Sequence, residues 1–120
     1  MNNGRKISGG RYHKSRKKRL HELDRQIRIV KLGKEKKKEI KSRGGCKRTV
    51  LLSSETANII DKNGKAKHGK IKNVLETPSN KFLARQNVLV KGAIIETDLG
   101  KARIKNRPSQ EGNVQAVLIE

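Results

Sequence analysis

The apolar residues of this chain are too few and too unevenly placed to fold all of it around one core. Of 120 residues, 38 are hydrophobic, and 27 of these fall after Arg48, leaving 11 for the first 48 positions. Charge runs the other way. Residues 1–48 carry 19 Lys and Arg against four acids (Glu22, Asp24, Glu35 and Glu39), whereas residues 49–120 carry 12 against seven. The net charge of +20 therefore divides into +15 and +5. A segment with so little to bury cannot offset the cost of ordering its backbone and orders on a polyanion instead. The length suits one small domain, so the expected organisation is a basic, polyanion-binding N-terminal extension, residues 1–48, followed by a β-barrel domain, residues 49–120.

The second part is punctuated at intervals of 8 to 12 residues. Residues 49–52 and 56–60 are β-favouring runs, and Asp61-Lys62-Asn63-Gly64 is a hairpin turn before a strand over 70–76. That strand stops at Thr77-Pro78-Ser79-Asn80, after which residues 81–86 are expected to make one helical turn capped by Asn80, with Phe82 and Leu83 facing the core. Further strands are expected over 88–90, 93–97, 101–106 and 113–119. Ala102 and Ile104 alternate with Lys101, Arg103 and Lys105, as on a strand with one buried and one solvated face. Six or seven short strands in so few residues predict a mainly β protein, a small antiparallel β-barrel, because closure hides the edges.

In the first part, Leu20, Leu23, Ile27 and Val30 recur at spacings of three and four, which permits a short helix ending near Gly33 that forms only when docked. The Lys-rich run 34–39 reads as a solvated helical surface. Gly9-Gly10 and Gly44-Gly45 permit tight bends or close approach to a phosphate, or are simply flexible loop.

Chemistry is poorly provided for. No 18-residue apolar stretch exists to span a membrane. A lone Cys46 forms no intramolecular disulfide, suits a reducing cytosol, and lacks the positioned base a nucleophile needs. His13, His21 and His68 show no metal-ligand spacing, so neither metal nor cofactor is expected. The stretch G-R-K-I-S-G-G-R over 4–11 approaches a phosphate-loop spacing but has Gly10 where its Lys belongs, and no strand precedes it. Glu96 and Asp98 sit beside cations and turn residues and read as surface ion pairs. No catalytic residue and no small-molecule substrate is expected.

The cations carry the functional argument, since each Lys or Arg that meets a phosphate releases condensed counterions. Arg5, Lys6, Arg11, Lys14, Arg16, Lys17, Lys18 and Arg19 form the densest block, continued by Arg25, Arg28, Lys31, Arg43, Lys47 and Arg48. Arginine braces two phosphate oxygens at once, which favours Arg11, Arg16, Arg19, Arg25, Arg43 and Arg48 for defined contacts, with residues 34–38 as diffuse screening. Tyr12 is the aromatic placed to stack on a base, or else packs on the barrel. With one Tyr, one Phe and no Trp, a broad aromatic platform for single strands is excluded. Charge alone does not separate RNA from DNA.

Particular passages do. Ser8-Gly9-Gly10-Arg11, Arg16-Lys17-Lys18-Arg19-Leu20-His21-Glu22-Leu23, Lys31-Leu32-Gly33 and Arg43-Gly44-Gly45 are followed by Pro78-Ser79-Asn80, Arg85-Gln86-Asn87, the block Lys91-Gly92-Ala93-Ile94-Ile95-Glu96-Thr97, Leu99-Gly100-Lys101-Ala102 and the Arg107-Pro108 turn. In this order the chain resembles the archaeal form of the small-ribosomal-subunit protein numbered eight in the eukaryotic series. The resemblance implies a β-barrel with a basic extension, bound to small-subunit rRNA beside neighbouring ribosomal proteins in the cytoplasm, as a structural constituent that supports translation. It adds Arg85, Lys91, Lys101 and Arg107 to the expected RNA-binding set. Cys46 stands where that family usually has Asn, and Gln26-Ile27-Arg28 where it carries proline. Competing readings are a trans-acting ribosome assembly factor of the same fold and an architectural DNA-binding protein.

Overall fold

Two-residue alternation over residues 100–104 is the clearest pattern in the chain, and the computed structural model, which describes residues 4–23 and 27–119, realises it as a barrel stave. Eight strands lie among the described residues: β1 (Lys31–Leu32), β2 (Lys36–Lys41), β3 (Lys47–Ser54), β4 (Thr56–Ile60), β5 (Ala66–Glu76), β6 (Ile94–Thr97), β7 (Gly100–Ile104) and β8 (Gln115–Leu118), with one short helix, α1 (Lys81–Arg85). Strands β4 to β8 form a closed barrel in chain order, and β1, β3 and β2 form a separate three-stranded sheet. The protein is mainly β, and its barrel closes with five strands.

Each junction of the barrel has a local cause. Between β4 and β5 the Asp61 carbonyl accepts from the Gly64 amide at 2.9 Å, with Gly64 at φ 75°. Register shifts in the β5–β6 pairing, at 71–73 and 74–76, bend the long strand so that it can serve both neighbours. At the β6–β7 turn the Thr97 hydroxyl donates to the Gly100 carbonyl at 2.7 Å. Asn106 organises the longer β7–β8 connection, donating to the Asn113 carbonyl and accepting from the Gln115 amide at 3.0 Å. The parallel pairing of Asn58, Ile59 and Ile60 with Gln115, Ala116 and Val117 closes the ring.

Inward positions Ala57, Ile59, Ile71, Val74, Ile95, Ala102, Ile104 and Ala116 are buried, and Leu89, Ala93 and Val114 join them from the connections. Gly69 leaves room where β5 passes Ile59: a Cβ there would lie 2.6 Å from the Ile59 Cδ1, and that side chain would have to turn aside. Two members of the core come from beyond the barrel. Leu51 of β3 and Val30, just before β1, are both at most 1% exposed, and the Val30 carbonyl accepts from the Leu89 amide at 2.8 Å.

Several expectations are corrected. Residues 34–39 do not form a helical surface: from Lys36 the run is β2, paired antiparallel with β3. The Leu20 to Val30 helix, expected only on docking, is not contradicted: in the chain alone a three-residue 3-10 turn covers Leu20–Glu22, residues 27–30 are non-helical, and 24–26 lie outside the described residues. Ile27 is 91% exposed while Val30 is buried, because Val30 is drawn to Leu89 rather than presented on a helical face. Asn80 caps α1 as expected, accepting from the Phe82 amide at 3.0 Å, but Phe82 itself points outward and is 68% exposed. Val88 and Leu89 are buried, yet only Val88 makes an isolated bridge, to Lys31. The composition break at Arg48 falls inside β3.

The radius of gyration is 18.9 Å, against about 14 Å for a compact chain of this length, and the longest axis is 58 Å.

Candidate nucleic-acid interface

The first described residues fold back on themselves. The Lys6 amide donates to the Gly10 carbonyl and the Gly9 amide to the Lys6 carbonyl, both at 2.9 Å, and Arg5 bridges Arg11. Gly9, at φ 78°, turns the chain in a conformation that side chains disfavour. This turn gathers Arg5, Lys6, Arg11 and Tyr12: the Lys6 ammonium lies 5.6 Å from the Tyr12 ring centroid, and Tyr12 stays 55% exposed. Tyr12 is thus held by a cation rather than packed into the barrel.

Lys14, Arg16, Lys17 and Lys18, with Leu23, line an open recess of about 520 Å³. Arg16 is not free within it. Its guanidinium donates to both oxygens of Glu22, at 2.8 and 2.7 Å, and Glu22 also accepts from the Arg19 amide at 2.9 Å. The Arg16 hydrogen bonds, then the Arg19 amide, hold the Glu22 carboxyl below its ordinary range, and the same pair raises Arg16. The fork therefore braces the Leu20–Glu22 turn, with the Glu22 carboxylate reaching back to the amide three residues before it.

That turn meets the second sheet. Leu20, His21 and Leu23 line a recess with Ser42 and Arg43 at the β2–β3 tip. The tip itself is tight: Ser42 donates to the Cys46 carbonyl at 2.7 Å, and Gly44 and Gly45 both have φ near 85°. Cys46 is exposed there. Beside it Lys41 faces Lys47 directly across the ladder, and Lys37 and Lys38 face Leu51 and Val50. Like charges set opposite one another in a sheet are destabilising in isolation. Arg48 faces Ile40, and Lys31 faces Ser53.

Of the other expected residues, Arg28 is half-buried and Arg25 lies outside the described residues. Arg107 is exposed on the β7–β8 connection, which rests on β3 through the Leu51 amide and the Pro108 carbonyl at 3.3 Å. Lys91 is exposed in the turn before β6. Arg85 and Lys101 stand apart on the barrel, each on a recess of its own; that of Lys101 includes Leu75, Glu76, Ile94 and Ile119.

Neutralisation separates the cations into two kinds. On β5, Lys67, Lys70 and Lys72 have carboxylates at 3.9, 3.8 and 3.2 Å, from Asp61, Glu55 and Asp98. In residues 4–48, among the described residues, only Arg16 and Lys37 are so paired. Lys36, Lys38 and Lys41 belong with this unneutralised group; sequence reading treated 34–38 as mobile screening because a charge run carries no apolar alternation to mark a strand. Among the described residues no cluster of His, Cys, Asp or Glu is suited to a metal ion, and no helix is long and apolar enough to cross a membrane.

Comparison with known proteins identifies a family. The family profile described as Ribosomal protein S8e matches residues 1–119. Three archaeal proteins, each called small ribosomal subunit protein eS8, align along nearly all of the chain. The Methanosphaera stadtmanae protein is 42% identical over 97% of this chain and 93% of its own length. The proteins of Methanocorpusculum labreanum and Haloarcula marismortui are 44% and 40% identical, each over 97% of this chain and 94% of their own. A profile match over nearly the whole chain, with relatives of this identity, shows that the chain belongs to the ribosomal protein S8e family, a family of structural components and not of enzymes.

Proposed function

We propose that this chain is a structural constituent of the small ribosomal subunit in the cytoplasm, where it binds and stabilises small-subunit rRNA and so supports translation. In this reading residues 1–48 act as the RNA-binding extension and residues 49–120 as the barrel that anchors it. The observation that carries it is that, among the described residues of 4–48, only Arg16 and Lys37 of the Lys and Arg side chains have a carboxylate partner, with Lys41 set against Lys47. Self-repulsion within such a surface is relieved beside a dense negative charge, and phosphates supply it. The turn around Gly9 presents Arg5, Lys6, Arg11 and Tyr12; Lys14, Lys17 and Lys18 present point charges; Arg43, Lys47 and Arg48 continue along the β2–β3 hairpin. Arg16 braces the Leu20–Glu22 turn and reaches phosphate only by exchanging Glu22 for it. Neighbouring ribosomal proteins are the remaining partners.

Sedimentation of cell extract through a gradient at moderate salt tests this. The chain should travel with mature small subunits; its absence from them, with presence only on immature particles, would make it an assembly factor instead.

A further inference from the structure

The segment from α1 back to β5 lies well along the chain from the basic extension, yet it gathers an unusual set of groups. Lys81, Ala84 and Arg85 of α1, Asn73, Val74 and Leu75 of β5, and Asn87 line a recess of about 380 Å³, within the range of small-ligand sites. Its polar side chains offer donors. The Asn73 and Asn87 Oδ1 atoms are both spent on the Val74 amide, at 2.9 and 3.3 Å, which leaves their Nδ2 groups without a partner among the described residues. Lys81 and Arg85 add cations, and among the described residues no carboxylate lines the recess.

Beside it stands Phe82, 68% exposed, with the Arg85 guanidinium 5.9 Å from its ring centroid. One turn of helix places Phe82 and Arg85 as neighbours, and the guanidinium covers only part of the ring. Asn87 holds φ 52° as the left-handed residue that ends α1, and its carbonyl accepts from the Leu32 amide at 3.0 Å, so the frame of the recess is tied to β1.

We propose that this face binds one unpaired nucleotide of RNA: the base stacks on Phe82 and Arg85, and the phosphate lies against Lys81 and the two amide nitrogens. The proposal rests on the RNA-binding reading above and adds to it a place on the barrel, away from the extension. Donors without carboxylates match a phosphate, and an exposed ring bearing a guanidinium matches a base face, which every base has. A protein neighbour would meet a recess with few acceptors to offer it. One aromatic gives a single stacking position, not a platform.

The chain has no Trp, so Phe82→Trp installs a unique fluorophore at the site. The full-length variant is titrated with a labelled, unstructured oligouridylate and with a blunt RNA duplex of equal length, reading indole quenching and probe anisotropy together. The single strand should quench the indole and the duplex should not. In the otherwise native chain, Phe82→Ala should weaken oligouridylate binding by about fivefold or more, as loss of a stacked base does. Arg85→Ala should act in the same direction, and circular dichroism should stay unchanged because both side chains are exposed. Rising anisotropy without quenching overturns this proposal alone and leaves the face to a protein neighbour. No anisotropy change with either RNA overturns both this proposal and the RNA-binding reading.

Discussion

Val30 lies in a stretch whose composition is basic and whose side chain is nevertheless 1% exposed in the barrel core. Replacing it with Ala removes two methyl groups, a transfer loss of about 1.6 kcal/mol, to which the unfilled space adds its own cost. Leu51 sits in the β3 ladder and Leu89 is tied to Val30 by its backbone hydrogen bond, so both relax little and the total should be about 2–3 kcal/mol. For a chain of this size that lowers the melting temperature by on the order of 10 °C. Ile27→Ala is the matched control: three residues away, of the same chemical class and 91% exposed, it should change stability by no more than about 0.5 kcal/mol. Thermal or urea unfolding followed by circular dichroism measures both. Equal stability of the two variants would refute the docking of Val30 and would return the end of the free extension to Arg48. For the same reason, deletion of residues 1–48 should unfold the barrel, whereas deletion of 1–19 should not.

Other consequences are local. Because Arg16 and the Arg19 amide hold the Glu22 carboxyl low, the fork persists above the ordinary glutamate range and is lost as pH falls through the depressed value. An NMR titration should find Glu22 protonating below the ordinary glutamate range, and Arg16→Ala should raise its midpoint while the smaller lowering by the Arg19 amide remains; a Glu22 midpoint that ignores Arg16 would contradict the fork. Lys47→Glu replaces the like-charge pair with Lys41 by an attractive one and should stabilise the free protein by about 0.2–1 kcal/mol while weakening its binding to rRNA. Unfolding and filter-binding measurements on the same variant check both signs, and a loss of stability would contradict the cross-strand register.

The barrel was legible because its strands carry the signals that physics imposes on them. Ala102 and Ile104 alternate with cations, Asp61 to Gly64 and Asp98 to Gly100 mark turns, and Asn80 announces α1. What escaped was set by partners distant in sequence. Lys36–Lys41 contains one half-buried apolar side chain, Ile40, and becomes a strand only because β3 offers a ladder. Val30 shares a helical spacing with Leu20 and Leu23, but a hydrogen bond from Leu89, far along the chain, decides its place. Phe82 looked like core by its chemistry alone; in a five-residue helix that rests on β5 through other positions, its face is the outer one. The cations were legible as a class, whereas the engagement of Arg16 by Glu22 depended on a turn that no propensity signals.

The most direct test of the central claim is the salt dependence of binding between the full chain and a small-subunit rRNA transcript. With roughly ten phosphate contacts, log affinity against log salt should fall with a slope of about −7 to −9. Replacing Lys14, Lys17 and Lys18 together by Gln should make that slope shallower by roughly 2–3. A native slope near −2, or a slope that the three substitutions leave unchanged, would contradict the assignment of the unneutralised cations to rRNA phosphates.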